Sequence, residues 1–191
     1  MLIESFLTDG VGISTHFLSN QLSGHLKDQL LSLYRLKLLV PAGTGNNHKL
    51  SHDQRTRGDV IYWLDKQHND QYENQFLDLM DRFVQYLNMS CYAGITSYEF
   101  HYTLYETGSF YSKHVDQFKD NSSRKYSIIS YLNADWKEMD GGELKINLLG
   151  KDKVISPMQG KTVFFRSNEL IHEVLVTHKP RLSVTGWLKI G

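Results

Sequence analysis

From Tyr98 to Ile190 the chain reads as short, apolar-rich runs broken by turn residues, and this pattern limits its fold more than any other feature. The runs are YEFHYTLYE, SFYSKHVDQ, KYSIISYLN, GELKINLL, DKVISP, KTVFFRS, HEVLVTH and RLSVTGWLKI. Gly108, Asn121 to Ser123, Gly141-Gly142, Gly150, Pro157, Gly160 and Pro180 punctuate them. About eight strands without helical crossovers predict a double-stranded β-helix, a jelly roll whose two sheets enclose a space.

Ahead of this core the period changes. Leu22, Leu26, Leu30, Leu31 and Tyr34 recur at three- and four-residue spacing before Pro41, and Phe76, Leu79, Met80, Phe83 and Leu87 repeat the pattern over Tyr72 to Leu87. Two helices are expected to pack on the sheet. The fold class is therefore mainly β with N-terminal helices, in one domain spanning 1–191, with a helix-rich buttress over about 1–95 and a jelly-roll core over about 96–191. Between the helices, the polar segment Gly43 to Gly58 is expected to be a mobile functional loop leading into a strand at Asp59 to Trp63.

Composition excludes more than it assigns. Equal numbers of basic and acidic residues, 21 each, argue against a general electrostatic grip on nucleic acid or an anionic membrane. A single cysteine, Cys91, rules out an intrachain disulfide and is compatible with a reducing compartment. The segment MLIESFLTDG lacks the basic and long apolar regions of a signal peptide, and no run approaches the roughly 18 apolar residues of a membrane span. The expected location is cytoplasmic.

The chemistry is concentrated in a few polar residues. Side chains at i and i+2 of a strand share a face, so His114 and Asp116 could grip one ion. His172 would complete a two-histidine, one-carboxylate triad with open positions for oxygen chemistry. His-x-Asp alone arises by chance in a chain with nine histidines, and zinc with a water is a chemical alternative. Strand parity adds independent support. Arg181, Ser183, Thr185 and Trp187 share one face of the last strand, and Ser127, Ile129 and Tyr131 share one face of another. The bland reading turns those faces to water. Turned inward, they line a cavity with a polar occupant, where Arg181 can hold a carboxylate through paired charge-assisted bonds and Thr185 and Tyr131 add hydroxyl contacts.

These residues sit in segments that resemble the 2-oxoglutarate and Fe(II)-dependent prolyl hydroxylases, close to the hypoxia-inducible factor enzymes and their bacterial relatives. The matching segments are TRGDVIYW (56–63), YSKHVDQ (111–117), YLNADW (131–136), GGELKI (141–146), VFFRS (163–167), HEV (172–174) and RLSVTGW (181–187). The resemblance implies His114, Asp116 and His172 as iron ligands and Arg181 as anchor of the distal 2-oxoglutarate carboxylate, assisted by Tyr131 and Thr185. It also implies Tyr105 near the chelating end, Ile129 and Leu144 as apolar walls, and Trp187, Tyr111, Arg124 and Asp59 at the substrate site, with Asp59 and Arg124 expected to form an ion pair. A regular strand would place Tyr111 on the face opposite His114, so packing weighs about equally with a substrate role for it. Arg166 stands where the family usually has a tryptophan.

The function implied is peptidyl-proline hydroxylation, at C4, coupled to oxidative decarboxylation of 2-oxoglutarate. The cofactor set is Fe(II), 2-oxoglutarate and O2, with ascorbate as a possible addition. A flexible proline-bearing protein segment is the expected partner, with elongation factor Tu or a ribosomal protein as candidates, entering beside Trp187 and Arg124 under the Gly43 to Gly58 loop. Alternatives are an oxygenase acting on a free amino acid or another side chain, a nucleic-acid repair oxygenase, and a non-catalytic metal-binding jelly roll. His101, His178, His48 and His52 are expected to be surface or strand residues, Trp63 and Trp136 to pack in the core, and Phe164 and Phe165 to be framework.

Overall fold

A computed structural model describes residues 2–43, 56–117, 121–148 and 150–191. Three helices precede most of the sheet: α1 (Leu2–Asp9), α2 (Asn20–Arg35) and α3 (Gln71–Cys91). Ser19 and Asp70 cap α2 and α3 by accepting first-turn amide hydrogens, from Leu22 in one case and from Tyr72 and Glu73 in the other. The apolar stripe of α2 is Leu22, Leu26, Leu30 and Leu33, while Tyr34 lies outside it and is exposed. Phe76, Leu77, Met80, Phe83 and Leu87 form the buried face of α3.

The eight expected strands are present. They are β4 (Ser97–Tyr105), β5 (Tyr111–His114), β6 (Arg124–Tyr131), β7 (Leu144–Leu148), β8 (Lys151–Ile155), β9 (Thr162–Arg166), β10 (His172–Val174) and β11 (Arg181–Lys189). The buttress segment contributes three more: β1 (Val11–Ser14), β2 (Val40–Pro41) and β3 (Asp59–Trp63). A seven-stranded sheet has the order β1-β9-β6-β11-β4-β3-β2 and a four-stranded sheet the order β5-β10-β7-β8, with antiparallel pairing throughout. Among the described residues no helix is long and apolar enough to cross a membrane.

Two apolar clusters follow from strand alternation. Leu182, Val184 and Leu188 of β11 and Tyr126 and Ile128 of β6 face the helices, packing with Leu26, Leu30, Phe76, Met80 and Phe164. The opposite faces look between the sheets, where Ile129, Tyr131, Val163 and Phe165 meet Leu144 and Ile146 of the small sheet. Phe164 and Phe165, both fully buried, thus serve one cluster each. Gly186 lets β11 lie tight against β4: a Cβ there would meet the Glu99 carbonyl at 2.2 Å and the Phe100 ring at 2.3 Å.

Candidate metal centre and carboxylate pocket

β5 and β10 pair with His172 opposite His114, which brings the two imidazole centroids to 4.2 Å. Each ring is pinned by its Nδ1, which lies 2.7 Å from the Ser112 carbonyl in His114 and 2.9 Å from the Leu170 carbonyl in His172. A carbonyl only accepts, so Nδ1 carries the proton and each Nε2 keeps its lone pair for a ligand. Asp116 completes the group, its Oδ1 3.4 Å from His114 Nε2 and 3.6 Å from His172 Nε2. The three donor atoms lie within 4.8 Å of one another.

Asp116 does not reach this position as part of the strand. β5 ends at His114, and Asp116 sits in the following bend, where its amide donates to the Ser167 carbonyl at 3.0 Å. Tertiary hydrogen bonding therefore does the work assigned to strand alternation. Ser127 donates to the other carboxylate oxygen, Oδ2, at 2.6 Å. Burial opposes ionisation of Asp116, but the charge and hydrogen bonds of His172 and His114 outweigh it and hold the carboxyl well below its ordinary range. Burial lowers His114. It would lower His172 too, but the Asp116 carboxylate overcomes it and raises His172. Two imidazoles, one carboxylate oxygen and spacings near the roughly 3 Å of neighbouring ligands on one ion fit divalent iron.

Farther into the same cavity lies Arg181, the first residue of β11, 3% exposed and opposite Tyr105 of β4. Its Nε donates to the Gly142 carbonyl at 2.7 Å, and its guanidinium lies 5.0 Å from the ring centres of both Tyr105 and Tyr131. Gly142 has φ +75°, and a Cβ there would lie 3.0 Å from the Arg181 side chain, so the turn is built around that arginine. Among the described residues no carboxylate lies within ion-pair distance of Arg181. The Tyr131 hydroxyl is buried without a hydrogen-bond partner. Burial raises the phenols of Tyr131 and Tyr105, which stay protonated donors. A buried cation without a counter-ion beside an orphaned hydroxyl is a site for an anion. Ile129, Leu144 and Thr185 line the same cavity, with Thr185 Oγ1 3.2 Å from Ser183 Oγ.

Trp187 also lines the cavity, 5% exposed, with the Arg124 guanidinium 3.4 Å over its ring. Arg124 pairs with Glu99 at 2.9 Å, and Lys189 reaches the same carboxylate at 3.2 Å. The expected Asp59–Arg124 pair is not formed. Asp59 stands opposite Tyr105 at one end of β4, whereas Arg124 is level with Lys189 and Ser97 at the other. Eight residues of β4 separate these levels, roughly 26 Å at about 3.3 Å per residue. Asp59 is instead held by Arg57 and is buried behind the cavity wall.

Tyr111 departs from strand parity. Between the His172–His114 and Val174–Tyr111 pairs, β5 spends one residue more than β10, and the bulge turns Tyr111 onto the His114 side. Its ring stacks on His114 at 3.5 Å between centroids, and the Arg57 guanidinium lies 4.7 Å from the centre of the same ring. Arg166 is exposed, pairs with Glu169 at 3.0 Å and does not line the cavity.

Four cavity residues escaped sequence reasoning: Arg57, His101, Thr103 and Val174. His101 and Thr103 alternate along β4 with Tyr105, so the parity argument applied to the last strand would have found them. His101 is a buried strand residue rather than a surface one, its Nδ1 near Thr103 Oγ1 and the Tyr102 carbonyl, and burial pushes its pKa down to about 4. Trp63 lies edge-on to it but is 45% exposed, so it is not a core residue, and Trp136 is half-buried and donates to the Gly141 carbonyl. His178 is exposed, and His48 and His52 lie outside the described residues, as does most of the Gly43 to Gly58 loop.

A profile of the 2OG-Fe(II) oxygenase superfamily matches residues 100–189. A Pseudomonas putida prolyl-4-hydroxylase shares 32% identity, with 100% of this chain and 97% of that chain covered and a TM-score of 0.89. A Trichoplax adhaerens prolyl hydroxylase, solved with a peptide fragment of the hypoxia-inducible factor oxygen degradation domain, gives 25% identity, coverage of 99% and 87%, and a TM-score of 0.86. A viral collagen prolyl hydroxylase from Paramecium Bursaria Chlorella virus-1, at 20% identity and TM-score 0.63 over 95% and 96% of the two chains, shares the fold alone.

Proposed function

We propose that this chain, which belongs to the 2OG-Fe(II) oxygenase superfamily and is a 2-oxoglutarate- and Fe(II)-dependent dioxygenase, hydroxylates a proline in a peptide or protein at ring carbon C4. The observation that carries the reading is the two-ended cavity, with a cluster of three side chains that could ligate a metal at one end and, at the other, an arginine with no counter-ion among the described residues. That spacing of charge suits a dicarboxylate held at both ends. The proline assignment draws on the named activities of the two relatives above.

In this reading His114, Asp116 and His172 hold Fe(II). Arg181 and the Tyr131 hydroxyl bind the distal carboxylate of 2-oxoglutarate, with Thr185 as a further hydroxyl contact, Tyr105 toward the chelating end, and Ile129 and Leu144 as apolar walls. When bound, iron and 2-oxoglutarate supply the oxidising power by activating O2 with release of succinate and carbon dioxide; ascorbate is a possible accessory reductant. The chain's own work is to fix both partners, exclude bulk water and present one ring carbon. Trp187 and Tyr111 form the substrate side of the cavity. Arg124 acts behind Trp187, and Asp59 acts through Arg57. We treat residues 1–191 as a single catalytic domain, located in the cytoplasm, with elongation factor Tu and ribosomal proteins as candidate substrates.

Mass spectrometry of a cell lysate incubated with enzyme, Fe(II) and 2-oxoglutarate tests this directly. Proline residues that gain one oxygen, with His114→Ala and His172→Ala inactive, are the expected result. Oxidation of a free amino acid with no protein product would transfer the assignment to a small-molecule oxygenase.

A further inference from the structure

Asp116, a metal ligand in the reading above, sits in a closed ring of hydrogen bonds. Its Oδ2 accepts a hydrogen bond from Ser127 Oγ–H at 2.6 Å. Ser127 Oγ has then spent its proton, so its 2.9 Å contact with Ser167 Oγ has Ser167 as the donor. The Ser167 carbonyl in turn accepts from the Asp116 amide at 3.0 Å and from the Gln117 amide at 3.2 Å. The circuit runs from the Asp116 backbone to Ser167, on to Ser127 and back to the Asp116 carboxylate. Both serines are fully buried, at 0% exposure, so water cannot replace either hydroxyl without rearrangement.

We infer that Ser127 and Ser167 are positioning residues that hold Asp116 as a single-oxygen ligand, with Ser167 acting through Ser127. The inference rests on the metal site proposed above. Oδ2 is committed to Ser127 while Oδ1 alone faces the Nε2 atoms of His114 and His172. A carboxylate free to turn can take two positions around an ion, whereas one oxygen takes one. His114, Asp116 and His172 would then present three donor atoms to a bound divalent ion and would leave its remaining positions to small-molecule ligands. Partners of this kind typically change metal affinity by about 10- to 100-fold.

The test uses metal-free full-length protein and Mn(II), a redox-stable probe whose free concentration is read by electron paramagnetic resonance. Ser127→Ala should weaken Mn(II) binding by about tenfold or more. Ser167→Ala should weaken it less, and the double variant should be no worse than Ser127→Ala, because Ser167 acts through Ser127. The visible absorption of bound Co(II) should also change in Ser127→Ala as the carboxylate turns. A merely structural role would lower the melting temperature while leaving the affinity of the folded protein alone, and a Ser127→Ala affinity within about twofold of the parent would overturn the inference. Additive losses in the double variant would overturn the relay from Ser167. His114→Ala serves as the separate control: undiminished Mn(II) binding there would overturn the metal site itself.

Discussion

Arg57 grips Asp59 through two parallel bonds, Nε to Oδ1 at 2.5 Å and Nη2 to Oδ2 at 2.8 Å, two residues apart on the segment that enters β3. The carboxylate is fully buried and the arginine nearly so, and the same guanidinium covers Tyr111, which stacks on His114. A structural ion pair thus reaches the metal end of the cavity through one aromatic ring. Arg57→Ala leaves the Asp59 charge buried alone and should cost about 3–5 kcal/mol of stability. Adding Asp59→Ala should recover part of that loss. Urea unfolding of the two single variants and the double variant measures the coupling, and simple additivity would show that the pair does not act as a unit.

Most of the fold was legible because its signals are local. The eight strands of the core carry turn residues at their ends, and one parity argument on β6 and β11 separated the helix-facing cluster from the cavity face. Arg181, Ser183 and Trp187 are buried, which settles against the solvent-facing alternative. What escaped depends on pairing. The bulge that returns Tyr111 to the His114 side is a property of two strands, and the Asp59–Arg124 error came from ignoring how far apart sheet register sets them. β1 escaped too, since four residues hold little periodic signal.

Arg181→Ala should weaken 2-oxoglutarate binding by about 2–5 kcal/mol, the cost of removing one partner from a desolvated charge pair. Mn(II) affinity should change little, because Arg181 is not among the clustered donor atoms. Arg181→Lys keeps the charge but not the two parallel donors, so it should fall between. Calorimetric titration with 2-oxoglutarate separates the three, and an unaltered affinity in the alanine variant would remove the arginine from the site.

His101 predicts an acid-sensitive fold. Burial first, and then the charge of Arg57, hold it neutral with a pKa of about 4 against an ordinary 6.5. As pH falls from 6.5, the unfolded chain takes up a proton that the folded chain refuses, so stability drops until about pH 4. Integrated over that window, the loss approaches roughly 3 kcal/mol from this one group. His101→Gln should flatten this part of the profile without altering stability near neutral pH to the same degree. Equal slopes in denaturant melts of the two proteins between these pH values would show that His101 does not drive the effect.

Trp187 should separate substrate binding from co-substrate binding. Its ring lines the cavity six residues along β11 from Arg181, and its outer face is covered by Arg124, which Glu99 holds in place. A pyrrolidine ring can pack on an aromatic surface of this kind, while the buried, unpartnered Nε1–H can donate to a peptide carbonyl. Trp187→Ala removes both and should lower peptide kcat/KM by more than tenfold, about 1.4 kcal/mol or more, with 2-oxoglutarate affinity nearly unchanged. Because the alanine variant also opens a cavity costing about 3–5 kcal/mol, Trp187→Phe provides a better-packed comparison that keeps an aromatic ring but lacks the donor. Peptide turnover in the phenylalanine variant close to the parent's would assign the residue to packing, and a deficit matching the alanine variant's would assign the larger share to the indole hydrogen bond. If both variants turn peptide over at the parental rate, Trp187 is framework and the proline enters elsewhere.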